Sequence, residues 1–289
     1  MHRFLLHNGQ IHDASATLLG PGQVGLLGGW GVFSTIQVIE GILFAFERHW
    51  RRMQRDAKLL RVPFPERADE LERSLLRLVE ANQAWNSSLR VVVVRNRGGA
   101  WEGPGISRAY DLIALTADVT DWGRTVRLGV VPDARHAACR LAGTKMLSWS
   151  FNLVWYEEAH VRGFDEVILL NERGEVSECT SANIFISNGG AVRTPPLDSG
   201  CLPGVTRELL LSEIHAEGVD LGEQALTLAD LEAADEVFIT STTRHLLPVD
   251  EVEGLRIRQR GFARAALERA FHAFVDDYVA RHKTGAVRA

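Results

Sequence analysis

Sulfur is scarce in this chain. Three cysteines (Cys139, Cys179 and Cys201) occur among 289 residues, an odd and widely spread set without metal-ligand spacing. That excludes a disulfide framework and predicts reduced thiols in a cytoplasmic protein with no metal site. Charge of one sign is scarce as well. With 32 Lys and Arg against 37 Asp and Glu, the net charge of −5 gives no general attraction for nucleic acid or an anionic membrane. No apolar run approaches the roughly 20 residues needed to cross a bilayer. The opening MHRFLLHNGQ breaks its apolar run with His and Asn, so it does not read as a signal peptide. Internal repeats and low-complexity segments are lacking too. What remains is an ordinary globular composition, 46% hydrophobic and 24% charged, in a chain long enough for two lobes.

The order of elements reads as α/β, in the α+β sense. Residues 36–46 alternate around Glu40-Gly41 and predict a hairpin. ERHWRRMQRDAKLL (47–60) has helical spacing and stops at Pro63 and Pro65. A second helix over 71–84 carries Leu71, Leu75, Leu78 and Val79 on one face. Strands follow at 89–94 and 110–117, joined by a glycine-rich loop. We assign residues 1–117 to a small N-terminal α/β domain. Residues 118–132 form a linker and the start of the second lobe, and 133–289 a larger C-terminal domain. In that domain TVRLGVV is a strand. A helix over 148–161 has Phe151, Val154, Trp155 and Ala159 as its expected apolar stripe. DEVILL, VSECTSANIFIS and AVRT predict an antiparallel meander, LPGVTREL enters a helix, DEVFIT is a strand, and a last helix covers 261–281.

RLAGTKMLSWSFNLVW (140–155) sets one lysine, Lys145, in an apolar run. Burial there would disfavour its ammonium form and make the amine a nucleophile able to form imines with carbonyls. A lysine snorkelling to solvent is the other reading. Glu178 lies in a strand among the small residues Cys179, Thr180, Ser181 and Ala182. It is either an exposed edge carboxylate or a partner for a flat, protonated ring nitrogen. In LPGVTREL, Gly204 permits an unusual backbone ahead of a helix whose first amides, near Val205 and Thr206, suit a phosphate; Thr206 also serves as a helix N-cap. STT (241–243) adds hydroxyls at a strand end, and Arg52, on a helix whose basic face is otherwise solvated, supplies a cation. An amine, a carboxylate and anion cradles together describe a site for pyridoxal 5′-phosphate.

These residues resemble the class IV, fold-type IV pyridoxal-phosphate enzymes: branched-chain and D-amino acid aminotransferases and aminodeoxychorismate lyase. Glu178, Asn183, Ile184, Phe185, Val192, Thr194, Leu202, Gly204, Val205 and Arg207 fill the family signature, and the likeness extends from GGWGVFSTIQVIEG to FITSTTRHLLPV. The resemblance implies a two-domain fold with the cofactor at the domain interface, and a homodimer. It makes Lys145 the imine-forming lysine and proton shuttle, and Glu178 the partner of the pyridine nitrogen. Arg52, Val205, Thr206 and Thr242 become phosphate ligands, and Leu202 packs on a ring face. The implied activity is transfer of an amino group between an amino acid and an α-keto acid. The alternative is the lyase reaction that forms 4-aminobenzoate and pyruvate.

Departures from the family pattern bear on the substrate. Ser150 stands where branched-chain enzymes carry a tyrosine. After Phe33, aminotransferases commonly place Glu; here Ser34-Thr35 is closer to some lyases. Ala100 and Trp101 stand where some relatives carry an arginine for the substrate carboxylate, which leaves Arg95 and Arg97 as candidates. With Thr243, which the resemblance places near the substrate carboxylate, Phe33, Ser34, Arg97 and Trp101 are the expected substrate-facing set.

Overall fold

The computed structural model describes residues 1–258 and 260–286, which divide into two compact units. The first comprises Met1–Thr120, Thr144–Trp149 and the chain from Asp277 on; the second comprises Asp121–Gly143 and Ser150–Asp276. Where the sequence assigns 133–289 to one lobe, contacts group Lys145 and its neighbours with the first unit. The reason is backbone pairing. Phe33 N–H donates to the Lys145 carbonyl (3.2 Å) and Leu147 N–H to the Gly31 carbonyl (3.0 Å), around a bridge between Val32 and Met146.

In the first unit, β1 (Phe4–His7), β2 (Gln10–Asp13), β3 (Gly31–Ile39), β4 (Ile42–Leu43), β5 (Ser87–Arg95) and β6 (Tyr110–Ala117) form an antiparallel sheet of order β2-β1-β6-β5-β3-β4. The expected hairpin is present with its turn at Glu40-Gly41 and a second strand of only two residues; Glu40 and Gly41 both take positive φ, the conformation that suits a two-residue connection. Asn8-Gly9 does the same between β1 and β2. A short helix, α1 (Val24–Gly28), precedes β3; α2 (Phe46–Leu59) and α3 (Ala68–Asn82) pack on the sheet. The predicted stripe Leu71, Leu75, Leu78 and Val79 is buried as expected, in one core with Leu89, Val91 and Val93 of β5.

The second unit holds β7 (Val126–Arg135), α4 (Ser150–Val161), β8 (Glu166–Asn171), β9 (Val176–Cys179), β10 (Asn183–Asn188), β11 (Ala191–Thr194), α5 (Val205–Ser212), β12 (Asp220–Glu223), α6 (Leu228–Ala233), β13 (Glu236–Ser241), β14 (His245–Val252) and α7 (Ala263–Ala286), the last running on into the first unit. The strands order as β12-β11-β10-β13-β14-β7-β8-β9. This corrects the expected meander. β8 pairs β9 and β10 pairs β11, but β10's other partner is β13, with Asn183 opposite Thr240. A tight turn closed by Cys179 N–H on the Ala182 carbonyl (2.8 Å) redirects the chain between β9 and β10. Residues 184–186 and 237–239 are buried throughout, so these central strands are covered on both faces, as Phe185 stacked on Phe238 illustrates. The apolar stripe expected on α4 is also corrected. Ala159 is buried, Trp155 is half-buried, and Phe151 and Val154 are 74% and 55% exposed, because Ala159 and Asn152 face inward instead.

Candidate active site

Each unit holds one set of the expected residues. In the first, Lys145 is half-buried rather than enclosed. Its backbone N–H donates to Asp56 Oδ2 (3.1 Å), and its Nζ lies 4.7 Å from the Phe33 ring centroid and 5.9 Å from that of Trp149. The apolar surroundings read from sequence are thus two aromatic rings set edge to face. The other side of the Phe33 contact set is Arg90, whose guanidinium carbon is 4.9 Å from the same centroid and whose acidity is raised by desolvation.

Arg52 is buried on α2, one turn after His49, and Ser34 on β3 is buried beneath both. Arg52 Nη2 donates to Ser34 Oγ (2.7 Å), and Ser34 Oγ bonds His49 Nδ1 (2.8 Å). Burial, with the charges of Arg52 and Lys145 adding, holds the His49 imidazole well below its ordinary pKa and hence neutral. Ser34 is therefore a partner of Arg52 in the core and has no exposed surface. Arg97 and Trp101 lie on the exposed loop, where Arg97 pairs with Glu102 (2.9 Å) and Trp101 is 83% exposed. Arg95 stacks on Trp30 and donates to the Arg61 carbonyl.

In the second unit, Glu178 lies on β9, the last strand of the sheet, but is buried and not an exposed carboxylate. Oε1 accepts from Arg135 Nε (3.2 Å) and Oε2 from Leu202 N–H (3.0 Å). Arg135 is braced by Asn152 Oδ1 (3.2 Å), and Asn152 donates to the Thr180 carbonyl. The Leu202 carbonyl accepts from Asn183 Nδ2 and from Gly204 N–H, both at 2.8 Å. Two residues on, α5 begins with Gly204 as N-cap and no side-chain cap, so the first amides, including those of Val205 and Thr206, point out of the helix. Two expectations are corrected here. Thr206 is within the helix, not its cap, and Gly204 has ordinary extended dihedrals. Its glycine is required by close approach: a Cβ would stand 2.1 Å from Asn183 Oδ1.

Thr242 and Thr243 occupy the β13–β14 turn; Thr243 Oγ1 accepts from Trp122 Nε1 (3.2 Å). The turn is anchored by Arg244, which lies over Trp122 and reaches Ser181 Oγ (2.8 Å) and Glu166. Burial pushes the Cys179 thiol well up and the Cys201 thiol up to about 11, so neither is a thiolate beside Glu178.

Sequence reasoning missed Arg135, Asn152, His49 and Arg90. Only His49 left a signal, three residues before Arg52 on one helix face. The groups of each unit, taken separately, suit parts of pyridoxal phosphate: in the second, a carboxylate held by two donors and uncapped helix amides, and in the first, a buried guanidinium and a lysine near two aromatic rings.

Comparison with known proteins returns the same chemistry. The family model described as amino-transferase class IV matches residues 31–252. A protein of Methanocaldococcus jannaschii provisionally named a branched-chain-amino-acid aminotransferase is 30% identical over 88% of this chain and 89% of its own. D-alanine aminotransferase of Bacillus licheniformis is 28% identical over 88% and 89%. The crystal structure of a branched-chain aminotransferase from Thermoproteus uzoniensis with norvaline superposes with a TM-score of 0.83, at 26% identity over 93% of this chain and 94% of that one.

Proposed function

The chain belongs to the class IV aminotransferase family, and from that premise we propose that it binds pyridoxal 5′-phosphate through Lys145, Glu178, Arg52, Leu202, Gly204, Val205, Thr206 and Thr242. It is an aminotransferase of fold type IV; the substrates we assign are an amino acid and an α-keto acid. One observation carries the cofactor reading: the run from Leu202 to Thr206 ends on Glu178 at one side and on bare helix amides at the other. A single segment thereby offers a carboxylate for a ring nitrogen and N–H groups for a phosphate.

When bound, pyridoxal phosphate supplies an aldehyde that condenses with amines and a ring that accepts electrons. Lys145 Nζ would be the amine that holds it, and the same amine would move the proton at the substrate α-carbon. Glu178, fixed by Arg135 and Leu202 N–H, presents its carboxylate to the ring nitrogen. Arg52 and the α5 amides would hold the phosphate. Arg90 is our assignment for the substrate carboxylate, since it shares the Phe33 ring with Lys145 while Arg95 and Arg97 are engaged elsewhere.

The lyase reading loses its Ser34 argument, because Ser34 is committed to Arg52 and His49. Phe151, Leu153, Val154 and Val161 are large apolar side chains exposed on α4, which supports the homodimer. The three free thiols support a cytoplasmic setting. The deciding experiment mixes cofactor-loaded protein with amino acids and follows the visible spectrum, then adds α-keto acids. Loss of the visible band with any amino donor, restored by a keto acid, is the expected result. An unchanged spectrum across donors, or pyruvate release without an acceptor, overturns transamination.

A further inference from the structure

We infer that His49 and Ser34 form a positioning relay that aims the Arg52 guanidinium at the cofactor phosphate. The inference deepens the proposed function and rests on its assignment of Arg52.

Proton bookkeeping fixes the direction of the relay. A guanidinium only donates, so in the 2.7 Å contact Arg52 Nη2 gives its proton to Ser34 Oγ. Ser34 is fully buried, and a buried hydroxyl needs an acceptor for its own proton. The ring nitrogen 2.8 Å away, His49 Nδ1, is that acceptor. The imidazole must then be neutral and carry its proton on Nε2. Its burial beside two cations favours that uncharged form. The chain Arg52→Ser34→His49 is thus fully ordered, and it ends at a buried Nε2 with no hydrogen-bond partner among the described residues.

That ending shows what the relay is for. A buried polar ring with an unmatched nitrogen costs stability, and an apolar side chain of similar volume would fill the space without that cost. Stability therefore gives no reason for His49 or for a hydroxyl at Ser34. Orientation does. Arg52 has a long, rotamer-rich side chain, and one nitrogen pinned from beneath leaves the rest of the planar fork pointing a single way.

The test uses ligands that lack the aldehyde, so that bonding to Lys145 plays no part. Pyridoxine 5′-phosphate and pyridoxine are titrated by fluorescence into apoprotein of wild type, Ser34→Ala, His49→Asn, His49→Leu and Arg52→Ala. Circular dichroism confirms folding of each. Ser34→Ala and His49→Leu should weaken the phosphorylated ligand by roughly tenfold and leave pyridoxine within about twofold. His49→Asn, whose amide oxygen stands near the place of Nδ1 and still accepts the serine proton, should recover most of the loss. Equal weakening of both ligands, or no change in either, overturns the relay. An Arg52→Ala protein with an unchanged preference for the phosphorylated ligand overturns the assignment of Arg52 itself. Should His49→Leu fail to fold, Ser34→Ala decides alone, since it removes one oxygen and adds no bulk.

Discussion

The two units hold their functional groups by different means. In the first, side chain holds side chain: Arg52 is pinned by a serine, the serine by a histidine, and Lys145 stands between two aromatic rings. In the second, backbone does most of the holding. Glu178 takes the Leu202 amide, Asn183 takes the Leu202 carbonyl, and α5 offers its uncapped amides beside a glycine with no space for a methyl group. A side-chain network can be altered one group at a time, whereas a backbone cradle moves as a whole. Substitutions in the first unit should therefore separate binding from chemistry. In the second they should shift stability and binding together.

The largest expected effect is at Lys145. Lys145→Ala should abolish transamination, as measured by keto-acid formation, and eliminate the borohydride-fixed adduct with pyridoxal phosphate. Pyridoxine 5′-phosphate binding should persist, because Arg52 does not depend on the lysine side chain. Turnover with an intact reduced adduct would end the assignment. A second, smaller effect probes the backbone cradle. Gly204→Ala drives a Cβ to 2.1 Å from Asn183 Oδ1, so the loop must shift at a cost of about 1–3 kcal/mol in urea unfolding. The same shift pulls Leu202 N–H away from Glu178 and the α5 amides off their line, so phosphate-ligand affinity should fall in parallel. A stable variant with unchanged affinity would show that the cradle is less rigid than its contacts imply.

The same contrast explains what was legible in the sequence. The first unit's sheet and helices bury one face, so Leu71, Leu75, Leu78 and Val79 announce α3 by periodicity alone. Its β1–β2 hairpin went unread although Asn8-Gly9 carries the strongest short-range hairpin signal. In the second unit, strands covered on both faces have no alternation to set their partners, and the meander reading failed there for that reason. β14 was hidden by Pro248, which argues against a strand; its pairing with β7 starts only at Val249, one residue past the ring. On α4, apolar spacing marked a surface that a single chain leaves exposed. Lys145 and Glu178 stood out because a charge in an apolar or small-residue run is conspicuous. Arg135 sat unremarked near the end of a strand, its role visible only once β7 and β8 bring it to Glu178.

The smallest effect sharpens the first unit's side of the comparison. His49 is buried and neutral in the folded state, its pKa held well below the usual 6.5 by desolvation and by the neighbouring Arg52 and Lys145. In the unfolded chain it titrates near 6.5, so below that pH the unfolded state binds the extra proton. The stability tied to a neutral His49 is therefore fully present above pH 6.5 and lost as pH falls below it, by at most about 1.4 kcal/mol per unit. His245 in the second unit is also lowered by burial and contributes with the same sign, so the wild-type slope alone does not isolate His49. The difference does. Urea unfolding of wild type and His49→Asn between about pH 5 and 7.5 should give curves of different slope, with wild type losing more stability toward the acid end. Parallel curves would mean that the imidazole titrates alike in both states, and the enclosed, uncharged ring on which the Arg52 relay depends would have to be given up.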